Sequence, residues 1–240
     1  MAKSYTVIGH RGASAYAPEN TFAAFNKALA LGCHFIEFDV MLSSDNEPFI
    51  IHDEVLERTT NGQGGVGLVT AAYLKSLDAG LWFSKQFHHE GIPHFRDVLI
   101  WLYENDVHAN IEIKPYPGTS EQTATVILDY LKRFWPQNKS LPLVSSFDFS
   151  VLTICCNKAP HIPLGLLLDA WDDQWLDKAQ ALNCFSIHIN ELSLTKERVQ
   201  TIKENSYQLY VYTVNGKERA KELLHWGVDA VFSDYPDLLL

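Results

Sequence analysis

The chain has 240 residues, 47% of them hydrophobic, with 29 Asp and Glu against 19 Lys and Arg and a formal charge of −10. A chain of this length buries roughly 70–75% of its unfolded surface and needs no staples; the acidic balance excludes nonspecific nucleic-acid binding, which rests on surplus Lys and Arg. The four cysteines, Cys33, Cys155, Cys156 and Cys184, lack CxxC spacing and read as small buried hydrophobes in a reducing compartment.

Taken in chain order, eight short apolar, β-rich runs fall at residues 6–10, 35–42, 109–114, 143–147, 164–168, 185–190, 208–215 and 230–234. Helical patterns at 21–31, 95–104, 119–134, 148–157, 172–182, 195–205 and 216–226 separate them. Apolar strands alternating with helices predict a parallel sheet covered on its outside, and eight units at this length predict a (β/α)8 TIM barrel. A doubly wound sheet would alternate too, but no GxGxxG follows any strand. Residues 43–93 break the rhythm with a turn at Ser43–Pro48, a ninth apolar run at 49–52, a glycine-rich stretch at 61–67 and a short helix at 71–76. They are expected to form a small insertion lobe after the second strand of a single barrel domain spanning 1–240. No charged leader precedes an apolar core and no apolar run approaches about 18 residues, so the expected location is the cytoplasm, without stable membrane association.

The active sites of such barrels lie at the C-terminal ends of the strands. His10 and Arg11 end the first strand, Glu37 and Asp39 the second, and Glu112 and Lys114 the third. Residues two apart on a strand share a face, which aligns Glu37 with Asp39 and Glu112 with Lys114. Three converging carboxylates would repel one another and raise their own pKa values; hard oxygen donors suit a divalent ion, Mg²⁺ or Ca²⁺. If the segment 39–53 folds back as a hairpin with Asp45-Asn46 at its tip, cross-strand partners sum to 91 and Asp39 faces His52. Two imidazoles can then divide the acid and base roles, while the cations and the metal stabilise anionic oxygens: equipment for cleaving a phosphodiester. His188 in "FSIHIN" is a lesser candidate for the mouth, and the remaining histidines read as surface or packing. Asn20 is expected to N-cap the first helix, and Trp82 to belong to the core or to an interhelical contact.

The stretches "GHRGASAYAPENTFAAF", "IEFDVMLSSDNEPFIIHDEVLERTTNGQG", "ANIEIKP", "LVSSF", "VYTVN" and "GVDAVFSDYPD" resemble glycerophosphodiester phosphodiesterases, most nearly the short bacterial cytosolic type, over essentially the full chain. The resemblance implies a TIM barrel with an insertion after its second strand and hydrolysis of diesters such as glycerophosphocholine and glycerophosphoethanolamine to sn-glycerol 3-phosphate and an alcohol. It implies His10 and His52 as the acid–base pair, Glu37, Asp39 and Glu112 as ligands of one divalent cation, and Arg11 and Lys114 as phosphate anchors. Tyr212 stands where many relatives have a Trp beside the glycerol. Mg²⁺ is favoured over Ca²⁺ because cytosolic calcium is scarce. The expected partner is the small-molecule diester, with no nucleic acid; the oligomeric state is left open, as are the order in which the histidines act and the choice of water or a glycerol hydroxyl as nucleophile. A relative acting on lipid head groups is the alternative, and it should expose an apolar rim.

Overall fold

The computed structural model describes residues 6–238. Its strands are β1 (Thr6–Gly9), β2 (Phe35–Leu42), β3 (Pro48–Ile50), β4 (His108–Ile113), β5 (Leu143–Ser146), β6 (Leu164–Leu168), β7 (Ser186–Asn190), β8 (Gln208–Tyr212) and β9 (Ala230–Ser233). The helices are α1 (Phe22–Ala30), α2 (Ala71–Lys75), α3 (Phe95–Glu104), α4 (Ser120–Phe134), α5 (Phe149–Lys158), α6 (Trp175–Ala181), α7 (Lys196–Glu204) and α8 (Lys217–Trp226). The strands pair in the order β1-β9-β8-β7-β6-β5-β4-β2, all parallel, and the β1–β2 pairing closes the ring into the predicted barrel.

Strand parity decides what faces the barrel interior. On β2, Ile36, Phe38, Val40 and Leu42 join the apolar layer beneath the helices, while Glu37 and Asp39 point inward. Phe25 of α1 packs against Phe38 with the rings tilted and 5.8 Å between their centres, and burying a side chain of that size contributes about 1.5–3 kcal/mol. Met41, near the top of β2, leaves the barrel layer and joins Phe49, Ile51, Leu56 and Leu74 in a separate apolar cluster that forms the base of the lobe. β2 thus outgrows the barrel, and its last three residues carry the antiparallel β3.

Three sequence expectations are corrected. The hairpin pairs Val40 with Ile50, Met41 with Phe49 and Leu42 with Pro48, so partners sum to 90 and Asp39 faces Ile51, whose N–H donates to the Asp39 carbonyl at 3.1 Å. The reason is a three-residue loop between Ser43 and Glu47, closed by Asn46 in the left-handed region at φ 65°. The N-cap of α1 is Thr21, whose Oγ1 accepts from the Ala24 N–H, and not Asn20, which has φ 58° and turns its side chain toward the barrel mouth. Trp82 is 40% exposed on the lobe surface, its indole N–H donating to the Ala79 carbonyl.

His188 faces the barrel interior below the mouth. It is fully buried, stacked on Tyr210 at 5.0 Å, with Nε2 2.8 Å from Ser186 Oγ. Gly165 makes room for it, since a Cβ there would lie 2.6 Å from the His188 Nε2. Burial drives this imidazole down to about 3, and it stays neutral in the core.

Candidate active site

β2 and β4 lie side by side in register, with Glu37 opposite Asn110 and Asp39 opposite Glu112. That register brings carboxylate oxygens of Glu37, Asp39 and Glu112 within 4.8 Å of one another, all three residues being buried. Burial first, then the charges of Asp39 and Glu112, push the Glu37 carboxyl well above its ordinary range. Burial and Asp39 lift Glu112 to about 8. Burial works against Asp39 as well, but Arg11, His52, Lys114 and the Asn20 amide outweigh it and hold that carboxyl low. Glu112 Oε1 is buried without a hydrogen-bond partner. Three buried oxygen donors, one of them unpartnered, make a site of the kind a hard divalent cation fits. The other group of three possible ligands among the described residues, Asp78, His88 and His89, lies on the lobe, where the N–H groups of Gly80, Leu81 and His89 already occupy the Asp78 carboxylate.

Two cations border the carboxylates. Arg11 has φ 55°, a conformation that sets its N–H 2.9 Å from Glu37 Oε2 while its guanidinium reaches Glu19 at 2.7 Å and Asp39 at 3.5 Å. Burial works against the guanidinium's charge; Asp39, Glu19 and Glu37 outweigh it and raise its pKa further. Gly12 follows at φ 84°, and a Cβ there would lie 2.7 Å from the Ala24 backbone. Lys114 Nζ sits 3.9 Å from Asp39 and 4.0 Å from Glu112.

Each of the two histidines is braced by an aspartate. His10 Nδ1 is 2.7 Å from Asp234 Oδ1, an oxygen that also accepts from Ser14 Oγ, while Asn215 Nδ2 donates to Asp234 Oδ2. Burial works to raise the Asp234 carboxyl, but the hydrogen bond and charge of His10, with Asn215 and Ser14, hold it at about 2. His52 Nδ1 is 2.5 Å from Asp53 Oδ1. With a carboxylate on Nδ1, that nitrogen carries the ring proton and Nε2 is left for chemistry. Burial, then Arg11 and Lys114, lower His52 below the ordinary imidazole value against the pull of Asp39 and Asp53.

Arg58, from the lobe, ties these parts together. It donates to both oxygens of Asp53 at 2.5 and 2.9 Å and to both oxygens of Glu19 at 2.8 Å. A continuous chain of charge-assisted bonds therefore runs from Arg11 through Glu19, Arg58 and Asp53 to His52.

Of the residues singled out in the sequence, His10, Arg11, Glu37, His52, Glu112 and Tyr212 line one cavity of about 220 Å³. Asp39 packs against it through Glu37 and Glu112, and Lys114 lines the adjoining cavity. Tyr212 donates its hydroxyl to the Leu168 carbonyl at 2.9 Å and meets Phe147 edge-on. Sequence reasoning missed Asp53, Arg58, Asp234, Asn110 and Asp169. Asp234 had a legible signal, a carboxylate at the end of the strand that must neighbour β1 when the barrel closes; the bridging role of Arg58 had none.

The family model for the glycerophosphoryl diester phosphodiesterase family matches residues 10–238. The chain belongs to that family. A glycerophosphodiester phosphodiesterase from Caldanaerobacter subterraneus subsp. tengcongensis is 36% identical over 238 residues, covering 98% of this chain and 96% of its own. One from Bacillus subtilis is 31% identical over 245 residues, covering 96% and 84%. An Oleispira antarctica phosphodiesterase solved in complex with the product sn-glycerol-3-phosphate matches with a TM-score of 0.94 at 36% identity, covering 98% of this chain and 94% of that one. Family membership makes the chain an enzyme, a hydrolase of glycerophosphodiesters, on the barrel that its sequence predicts.

Proposed function

We propose that the chain hydrolyses glycerophosphodiesters such as glycerophosphocholine and glycerophosphoethanolamine to sn-glycerol 3-phosphate and an alcohol, using His10 and His52 as an acid–base pair. The observation that carries this reading is the pairing of each histidine with its own aspartate at the border of one cavity, with the carboxylate triad between them. Glu37, Asp39 and Glu112 would hold one divalent cation, Mg²⁺ favoured and Ca²⁺ the alternative. When bound, that ion supplies Lewis-acid polarisation of a phosphoryl oxygen. Arg11 and Lys114 hold the remaining non-bridging oxygen. His52, lowered by burial and by the two cations, is the neutral imidazole suited to take a proton from the nucleophile, either water or the glycerol hydroxyl, the latter giving a cyclic phosphate that water then opens to sn-glycerol 3-phosphate. His10 then gives a proton from Nε2 to the departing alkoxide, with Asp234 on Nδ1 orienting the ring. Tyr212 walls the glycerol side. The whole site lies within one barrel domain, 1–240, with the lobe 43–93 contributing His52.

The proposed enzyme is cytoplasmic and acts on soluble diesters; among the described residues no helix is long and apolar enough to cross a membrane. Action on lysophospholipids has one observation in its favour: Phe147 after β5, Phe149 at the start of α5 and Leu192 in the 3-10 turn after β7 are 47%, 39% and 89% exposed. One assay separates the two. Purified protein is given glycerophosphocholine or lysophosphatidylcholine, with Mg²⁺, Ca²⁺ or EDTA, and glycerol 3-phosphate and choline release are followed. Metal-dependent glycerol 3-phosphate from the soluble diester is expected; turnover of the lysolipid alone would replace this reading by the second, and EDTA-resistant turnover would refute the metal.

A further inference from the structure

The cavity bordered by the two histidines shares Glu112 and Phe147 with a neighbouring one of about 340 Å³. A phosphate held between Arg11 of the first and Lys114 of the second would direct one ester arm toward each. The first cavity offers Asn110, Asp169 and Tyr212 beside the histidines, polar groups that suit the hydroxyls of the invariant glycerol. The second is left for the alcohol that varies from one diester to the next.

Its lining is specific in charge. The Glu54 carboxylate is exposed and has neither a hydrogen bond nor an ion pair among the described residues. Asp148 caps α5 through Oδ1 and accepts Ser120 Oγ at 2.6 Å on Oδ2, with no cation beside it among the described residues. Phe147 presents a half-exposed ring between the two cavities. The cation that lines this cavity, Lys114, already faces Asp39 and Glu112. An aromatic ring flanked by uncompensated carboxylates attracts an ammonium group through both charge and the ring quadrupole.

Resting on the phosphodiesterase reading above, we propose that this second cavity is a head-group subsite selective for cationic amino alcohols of the choline and ethanolamine type, with Glu54 and Phe147 as its specificity determinants. Neutral polyol head groups, glycerol or inositol, gain neither attraction there.

The test measures kcat/KM for glycerophosphocholine, glycerophosphoethanolamine, glycerophosphoglycerol and glycerophosphoinositol under one ionic condition. The wild type should favour the two cationic diesters by about fivefold or more, the size of one cation–π or exposed charge contact. Glu54→Gln and Phe147→Leu should each shrink the choline-to-glycerol ratio, and Glu54→Lys should invert it. Equal efficiency on all four diesters, or a ratio unmoved by Glu54→Lys, overturns the subsite and leaves the hydrolase reading standing. No turnover of any of the four overturns both.

Discussion

Replacing Glu112 by Gln tests the metal site through folding, without any turnover. Burial and Asp39 carry this carboxyl from an ordinary 4.5 to about 8 in the metal-free fold. Because the folded value lies above the unfolded one, its stabilising contribution is complete below about pH 4.5 and is lost as pH rises through about 8. The gap amounts to about 5 kcal/mol for a group this buried, and a divalent cation bound to the ionised carboxylate restores what is lost. For a chain of this size each kcal/mol moves Tm by about 2–4 °C. Between pH 5 and pH 8 about 3–4 kcal/mol of that contribution is lost, so in EDTA the wild type should melt about 7–14 °C lower at pH 8 than at pH 5, and Mg²⁺ or Ca²⁺ should erase the difference. Net charge also changes over that range, so the decisive comparison is at fixed pH. In EDTA at pH 8 Glu112→Gln should melt well above the wild type, and it should gain nothing from metal. Calorimetry at pH 7 should detect proton release on metal binding by the wild type, reduced in the variant. A variant that melts no higher than the wild type in EDTA at pH 8, or one still stabilised by metal, refutes the reasoning.

The other expected outcomes concern the histidines and their braces. His10→Ala and His52→Ala should each lower kcat on glycerophosphocholine by ~10²–10⁴, the range for lost acid–base help, with thermal melts near the wild type; wild-type turnover in either removes that residue's role. Asp234, held at about 2 against an ordinary 3.8, contributes about 2 kcal/mol that is present above pH 3.8 and lost as pH falls through about 2. Asp234→Asn should separately lower kcat by about 10–100-fold, the range for a partner that orients an imidazole, with KM little changed and with partial rescue by Asp234→Glu, whereas a loss confined to KM or to Tm would make the residue structural only. Arg58→Ala should reduce kcat about tenfold by releasing Asp53 and Glu19 together, and Arg58→Lys should restore little, since Lys cannot make two bidentate contacts; full rescue by Lys would show that charge alone suffices.

The barrel was legible because parallel strands covered by helices read as unbroken apolar runs, and β2, β6 and the helix at 95–104 fall where those runs predict them. Boundaries slipped where a turn competes with the run: the predicted 208–215 strand stops at Tyr212, after which the Val214 N–H turns to the Phe232 carbonyl. The carboxylate triad was legible because parity is local and a parallel register keeps neighbouring strand ends level. The hairpin register was not, because it depends on one left-handed residue, Asn46, that adds a position to the loop without changing the apolar pattern. His188 illustrates the same limit along the barrel axis. Its strand puts it inside, but depth is set by the neighbours Gly165 and Tyr210 that close over it.

The two imidazole–carboxylate pairs are alike in geometry and unlike in anchorage. Asp234 follows β9, the strand that closes the ring beside β1, and its backbone N–H is held by Asn215 Oδ1 at 2.9 Å, so the pair at His10 is fixed by the barrel itself. Asp53 follows β3 on an extension beyond the ring, and what orients it is Arg58, an exposed side chain clamped to Glu19 at the entrance to α1. A barrel of parallel strands brings side chains to its mouth from below; a second proton-transfer group facing the first needs a segment that folds back over the mouth. β2 meets that need by running past its partners and carrying β3. On the proposed mechanism the lobe is accordingly part of the catalytic apparatus and not only a cover, since it brings both His52 and the arginine that holds its aspartate.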